Sequence, residues 1–531
     1  MRFLNTILLL LLPTLLIGQT TISGTVLDAE GQPLPGAMVY LEDSYDGATT
    51  DSEGQFDFST SRTGSQVLTA DYLGYSSYRR SIDLANELKP LSIAMQPEFN
   101  EIAAVAITAG AFTAGDKHKA VTLNSIDMVT TAGAAGDVYG AVQTLPGTTP
   151  GGESGRLFVR GGTSRETQTY IDGQLVQVPF NSTAPGVPTR GRFSPFMFQG
   201  TLFSTGGYSA EYGQALSSVL LLDTKDEDLE DRFDFGILSV GGNLAGTKVW
   251  KGGSITADLG LTHLGPYMSL VPQNLNWESA PKAGQGSISL RQATSKTGMI
   301  RLYAMASRNH SVLTADDPNA ENMTSRYELE NDNLYVNASY EDLIGEKWQV
   351  RTGLSGTVNP DRIGLEGADI TQTLRGWHAK SVFTHALTEK VKLRMGAEAF
   401  ERSFEQDYAE EAFRANDRFR DLQAAAFVEA EVYATEDLGF RIGTRTLRSK
   451  LVEQTVVSPR FSVAYRVAPH TTISLAGGRF EQMPEDNVLL YANDLRMERA
   501  DQLLLNVFHQ KDDRTLRGEV FYKNYTHLTR F

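Results

Sequence analysis

The sequence predicts a mainly β protein in three parts: a small N-terminal β-sandwich, a mixed α+β middle segment, and a transmembrane antiparallel β-barrel that is incomplete. Three observations lead there. The first residues have the form of an export signal, and the next stretch is cut by turn residues into short alternating runs. From about Asp231 onward the chain repeatedly alternates apolar and polar residues with period two.

Composition narrows the class before any motif does. A length of 531 residues exceeds one ordinary domain, and a net charge of −16 with a pI near 5.1 argues against a nucleic-acid partner. A soluble acidic enzyme would satisfy those two numbers equally well. The absence of cysteine excludes disulfides, thiol nucleophiles, thiolate zinc sites and a lipidated N-terminal cysteine. Arg2, the apolar run Ile7 to Ile17 and the small residue Gly18 predict a signal peptide over residues 1–18. That run is broken by Pro13 and falls short of the ~18 residues a spanning helix needs. No later stretch reaches that length, so membrane entry requires a closed barrel, which satisfies its own backbone hydrogen bonds in lipid.

Residues 19–97 form the first mature segment, with runs such as Ile22-Ser23-Gly24-Thr25-Val26 and Phe56-Asp57-Phe58 between Gly, Pro and Asp turns. Gly24 to Asp28, Gly31 to Ala37 and Thr50 to Phe56 together resemble the carboxypeptidase-regulatory-like domain, a non-catalytic β-sandwich. Asp28 to Gly31 and Asp51 to Gly54 are turn chemistry, each ending on a residue able to take positive φ. Residues 98–114 make a linker whose stretch Val105, Ala106, Ile107, Thr108 and Ala109 resembles a TonB box. In that family the box pairs edge to edge with a TonB-type periplasmic energy-transducing protein, which is the physics of β-augmentation.

Residues 115–225 contain Gly136-Asp137-Val138, Leu145-Pro146-Gly147, Gly155 to Gly162, Tyr170 to Gly173 and Gly206 to Ser218, in that order. This series resembles the plug domain of TonB-dependent outer-membrane receptors, and with the N-terminal domain it suggests the Bacteroidetes type. The residues that carry the plug motif are Arg160, Gly161, Gly162, Asp172, Gly173, Glu211, Tyr212 and Gly213. Arg160 beside paired glycines puts a cation where backbone approaches closely, and Asp172-Gly173 is a hairpin-turn dipeptide. Buried arginine and acid pairs would then hold the plug in the lumen.

Enzyme motifs fail on inspection. Gly241 to Lys248 has phosphate-loop spacing but ends Thr-Lys rather than Lys-Ser/Thr, and Gly151 to Gly155 is not a nucleophile elbow. The eight histidines lack ligand spacing. No catalytic residue, metal ligand or cofactor is therefore assigned.

Residues 226–531 alternate as a barrel does, with Ile255, Ala257, Leu259 and Leu261 opposed to Thr256, Asp258, Gly260 and Thr262. Val391 to Ala399 and Val428 to Val432 repeat the pattern, with Lys392, Arg394, Glu398, Glu429 and Glu431 on the polar face. Short turns near Lys296-Thr297, Gly345 to Lys347, Thr388 to Lys390 and Pro469-His470 alternate with longer connections. Those longer ones are expected around 266–284, 310–330, 359–373, 405–420 and 481–498, facing outside.

About fifteen spanning strands are expected, whereas a plugged lumen implies about 22, so a C-terminally truncated barrel is expected. The last strand, Thr515 to Tyr525, would run outward and leave Phe531 on the external side. The resemblance implies an outer-membrane receptor of a Gram-negative cell, with N-terminal domain and plug on the periplasmic side. Its partners would be the TonB-type protein, outer-membrane lipid and a small nutrient ligand such as a siderophore, cobalamin or oligosaccharide. The competing expectations are a surface-binding or adhesin-like barrel without transport, and a non-functional truncated receptor.

Overall fold

The structure is a computed structural model that describes residues 20–95, 128–224 and 231–529, with short interruptions inside each stretch, the longest at 317–323. The expected signal peptide, and the linker segment with Val105, Ala106, Ile107, Thr108 and Ala109, lie outside the described residues.

Among the described residues the N-terminal unit has seven strands: β1 (Thr20–Leu27), β2 (Met38–Leu41), β3 (Gly47–Thr49), β4 (Gln55–Thr60), β5 (Ser65–Asp71), β6 (Tyr78–Asp83) and β7 (Leu91–Ala94). They form two sheets, β4-β1-β7 and β3-β2-β5-β6. Alternate residues enter one core, with Ile22, Val26, Val39, Leu41, Leu68 and Ile93 buried. The aspartate turns work as expected: the Asp51 carboxylate accepts from the backbone of Glu53 (2.9 Å) and Gln55 (2.8 Å), and Gly54 takes φ 72°.

In the second unit a short helix α1 (Val138–Val142) is capped by Asp137, whose side chain accepts from Tyr139 N. It is followed by β8 (Thr148–Gly151), β9 (Ser154–Val159), β10 (Thr167–Ile171), β11 (Gln174–Val176), β12 (Phe198–Ser204) and β13 (Ser218–Thr224). Four of these make a mixed sheet ordered β11-β10-β13-β12, with β10 and β13 parallel. Asp172 (φ 48°) and Gly173 (φ 80°) form the two-residue turn between β10 and β11, both left-handed as a primed hairpin turn requires.

The described residues from 231 onward form one antiparallel sheet of fifteen strands in sequence order. It begins with β14 (Arg232–Leu238), β15 (Gly241–Trp250), β16 (Gly253–His263), β17 (Asn276–Ala293), β18 (Met299–Asp316), β19 (Thr324–Ile344) and β20 (Trp348–Leu365). It continues through β21 (Ala368–Thr388), β22 (Val391–Glu410), β23 (Phe413–Tyr433), β24 (Leu438–Ser449), β25 (Thr455–Ala468), β26 (Thr471–Gln482), β27 (Glu498–Lys511) and β28 (Arg514–Thr526). The phosphate-loop look-alike Gly241 to Lys248 is extended within β15, so its backbone cannot cradle an anion.

This sheet is inside out relative to a soluble one. On β16, Leu259 and Leu261 are 60% and 72% exposed while Asp258 is 4% exposed. Leu334, Val336, Leu354, Ile442, Leu503 and Val520 likewise face outward, whereas Asn331, Asn337, His378, Lys380, Glu398 and Arg445 are buried inward. An apolar exterior over a polar interior is the arrangement of a membrane barrel. No described helix is long and apolar enough to cross a membrane.

Three of the expected long connections are built differently. The stretches 359–373 and 405–420 are continuous strand, turned at Glu366-Gly367 and Glu411-Ala412, and 310–330 leaves only 317–323 outside β18 and β19. Beyond the membrane both faces of a hairpin meet water, so the apolar arm of the alternation disappears while pairing persists. Cross-strand contacts such as Asn416 to Asp407 and Arg420 to Glu401 replace it. Irregular structure remains after β16 and β26, where α2 (Gly265–Leu270) and α3 (Asp486–Leu489) form.

Candidate functional site

The plug lies against the inward face of the sheet, and inward side chains from β18 through β28 touch it, so the sheet curls around it. Its apolar half packs Phe193 and Phe198 against Tyr303 and Tyr335 of the sheet. Burying each such ring contributes about 1.5–3 kcal/mol.

Polar contacts fix the rest. Glu211, 0% exposed, forms ion pairs with Arg351 of β20, with Lys380 of β21 at 2.9 Å and with Arg394 of β22 at 3.7 Å. Burial pushes the Glu211 carboxyl up, but the three cations outweigh it and hold it well below the usual carboxylate range. The Lys380 ammonium lies 4.6 Å from the Tyr212 ring centroid and 5.4 Å from that of Tyr170. Arg445 of β24 donates to the Glu211 carbonyl at 3.2 Å and pairs with Glu398, which also meets His378 at 3.3 Å. A Cβ on Gly213 would stand 2.6 Å from the Arg445 guanidinium, so only glycine admits that cation unshifted.

The loop before Glu211 is held by its backbone. Glu429 accepts from Ser209 Oγ and Ala210 N, each at 2.8 Å, while Arg460 donates to the carbonyls of Ser209 (2.6 Å) and Tyr212 (2.8 Å). Since Arg351 and Arg394 each lie three residues from a short connection, this cluster sits near the short-turn end of the sheet.

Arg160, at φ 48° ahead of Gly161 at φ 72°, donates to Thr205 and pairs with Glu519 of β28. Gly162 is crowded: a Cβ there would meet Ser217 Oγ at 2.1 Å and Glu166 Oε2 at 2.4 Å. Asp172 serves the plug itself, accepting from Thr224 N at 2.9 Å. The structure therefore brings Glu211, Tyr212 and Gly213 into one cluster, and places Arg160 with Gly161 and Gly162 beside β28. Asp172 and Gly173 form a turn.

Sequence reasoning missed several anchors. Glu166 accepts from Lys523 (2.7 Å), Tyr525 (2.6 Å) and Thr163 N (2.8 Å). Burial raises its carboxyl, but Lys523 and the hydroxyl donors bring it below the ordinary value. Arg165 pairs with Glu485 (3.4 Å) and Glu498 (3.2 Å). Arg192 is fully buried at the long-hairpin end and donates to Ser307, Asn331 and Asn359 at 2.9–3.0 Å. Burial lowers its guanidinium to about 10, which leaves it charged at neutral pH. The polar arm of the strand alternation marked Arg394, Glu398 and Glu429; no local signal marked Arg165, Glu166 or Arg192.

A mixed plug domain pinned inside an antiparallel sheet with an apolar exterior is the fold of plugged outer-membrane receptor barrels. Residues 22–107 match the CarboxypepD_reg-like domain. A siderophore receptor from Acinetobacter baumannii is similar with TM-score 0.59 and 13% identity, over 79% of this chain and 71% of that one. A variant of the ferric enterobactin receptor from Pseudomonas aeruginosa gives TM-score 0.57 and 13% identity, over 77% and 71%. The alcaligin outer-membrane receptor from Bordetella pertussis gives 0.54 and 11%, over 81% and 72%. At these identities the likeness is one of fold. No curated protein matches the chain significantly by sequence.

Proposed function

We propose that this chain is a TonB-dependent outer-membrane receptor that imports a small ligand into the periplasm. The observation that carries the reading is Glu211, wholly buried among sheet cations, on a plug enclosed by a sheet whose exterior is apolar. A plug pinned in this way passes a ligand only when such contacts break, and breaking a buried ion pair costs about 3–5 kcal/mol. That energy must come from outside the barrel. Val105 to Ala109 lie in the linker that leads to the plug and are β-prone, which suits edge-to-edge engagement by a TonB-type periplasmic partner. The N-terminal domain and plug then belong on the periplasmic side and the long hairpins outside. The chain acts as a receptor and performs no catalysis.

Because the similar structures are siderophore receptors, a ferric siderophore is the favoured ligand over cobalamin or an oligosaccharide. The test deletes Val105 to Ala109 in cells and follows radiolabelled iron supplied as ferric enterobactin and as ferric alcaligin. Surface binding of one should persist while its uptake stops. Uptake at the undeleted rate would overturn energised import, and binding without uptake in the intact chain would favour a surface-binding protein.

A further inference from the structure

The outward face of β23 to β27 is not a uniform apolar wall. Val428, Thr444 and Pro459 stand in one transverse row, and Ala430, Ile442, Phe461 and Gly477 in the next. Short side chains at Ala430, Thr444 and Pro459 lower the floor between the larger Ile442, Val428 and Phe461, and Gly477 leaves room for the Phe461 ring. The result is a groove of about 620 Å³, within the roughly 300–1,000 Å³ usual for small-molecule sites. Arg479 and Asp501, paired at 3.2 Å, stand at the end of the groove away from the short turns.

Charge beyond that end is lopsided. Outward positions of these strands carry Arg418, Arg420, Arg448, Arg479 and Arg499 against Asp501, which pairs with both Arg479 and Arg499, while Glu401 of β22 pairs with Arg420. Glu481 is buried and accepts from Ser458, so it offers little to the surface. Arg448 is exposed and donates to Thr455 Oγ1 at 3.1 Å. An apolar trough that opens beneath the Arg479 and Arg499 guanidinium groups, which share the single carboxylate of Asp501, fits an amphiphile with a fatty tail and an anionic head.

We propose that this groove binds one acyl chain of an anionic phospholipid, with the phosphate held by Arg479 and by Arg499 beside it, the two arginines that share Asp501. This rests on the reading that the outward face meets lipid, and it adds a specific lipid site to it. Arginine suits the task because its fork meets two phosphate oxygens at once.

The experiment inserts the full chain into vesicles, extracts it into mild detergent and measures retained lipid by native mass spectrometry. The probes are phosphatidylglycerol, phosphatidylcholine and diacylglycerol. Phosphatidylglycerol should be retained selectively. Arg479→Gln should lower its retention on the order of fivefold and leave diacylglycerol unchanged, as expected for loss of one surface cation. Thr444→Trp, which fills the trough, should remove the retention of phosphatidylglycerol, whereas Leu354→Trp, outward on β20, should not. Equal retention of the three lipids, or an unchanged Arg479→Gln variant, overturns the site while leaving the receptor reading intact. Failure of the unaltered chain to insert into vesicles overturns both.

Discussion

Glu211 keeps a charge where water does not reach it, and the arrangement works only because three cations converge on it from separate strands. Glu211→Gln leaves those cations without their acid and should destabilise the docked plug by about 3 kcal/mol. Thermal unfolding in detergent and protease sensitivity of residues 128–224 would measure this; a variant as resistant as the parent would remove Glu211 from the anchor. Because the folded carboxyls of Glu211 and Glu166 lie below their unfolded values, the unfolded chain takes up protons first as pH falls. Their stabilisation is therefore full above the unfolded glutamate value of about 4.3 and is lost only at more acid pH. Plug protection should stay flat from neutrality to that value and decline below it. Glu211 was legible in the sequence because it sits in an ordered run, Gly206 to Ser218, whereas Arg351 lies 140 residues away and only the curl of the sheet brings it near.

At the scale of elements, the short connections were legible because Gly345 and the Lys-Thr and Pro-His pairs are turn chemistry. The hairpins were not, since a ribbon wet on both faces has no apolar period to read. Its backbone ladder carries it, and exposed cross-strand pairs such as Arg362 with Asp332 at 3.0 Å add only roughly 0.2–1 kcal/mol each. Replacing Gln406 to Asp417 with an Asn-Gly turn joins Glu405 to Arg418, which already face each other in the ladder. The shortened chain should insert into vesicles and keep its strand content by circular dichroism, with ligand binding reduced. Failure to insert would show that the distal hairpin takes part in building the membrane wall.

For the molecule as a whole, the deciding feature is which side of the sheet is apolar. Alternation announced two faces in the sequence, and a soluble sandwich would alternate as well; the structure assigns the apolar side to the exterior and the charged side to the plug. Depth on that exterior is testable. Leu354→Arg, in the apolar band of β20, should cost about 2–4 kcal/mol in vesicle-supported unfolding, whereas Arg362→Leu on the same face should change little. Equal effects at the two positions would mean that the band does not lie at the centre of a bilayer.

The strands that leave this band do not stop. β19, β21 and β23 each run 21 residues, about twice the ~10 needed to span, with their ladders essentially continuous. There is consequently no hinge at the membrane boundary for these hairpins. A free loop of similar length would give up roughly 1–2 kcal/mol of backbone entropy for each residue it orders around a ligand. Here folding has already spent that entropy, so what meets a ligand first is a set of stiff ribbons already in position.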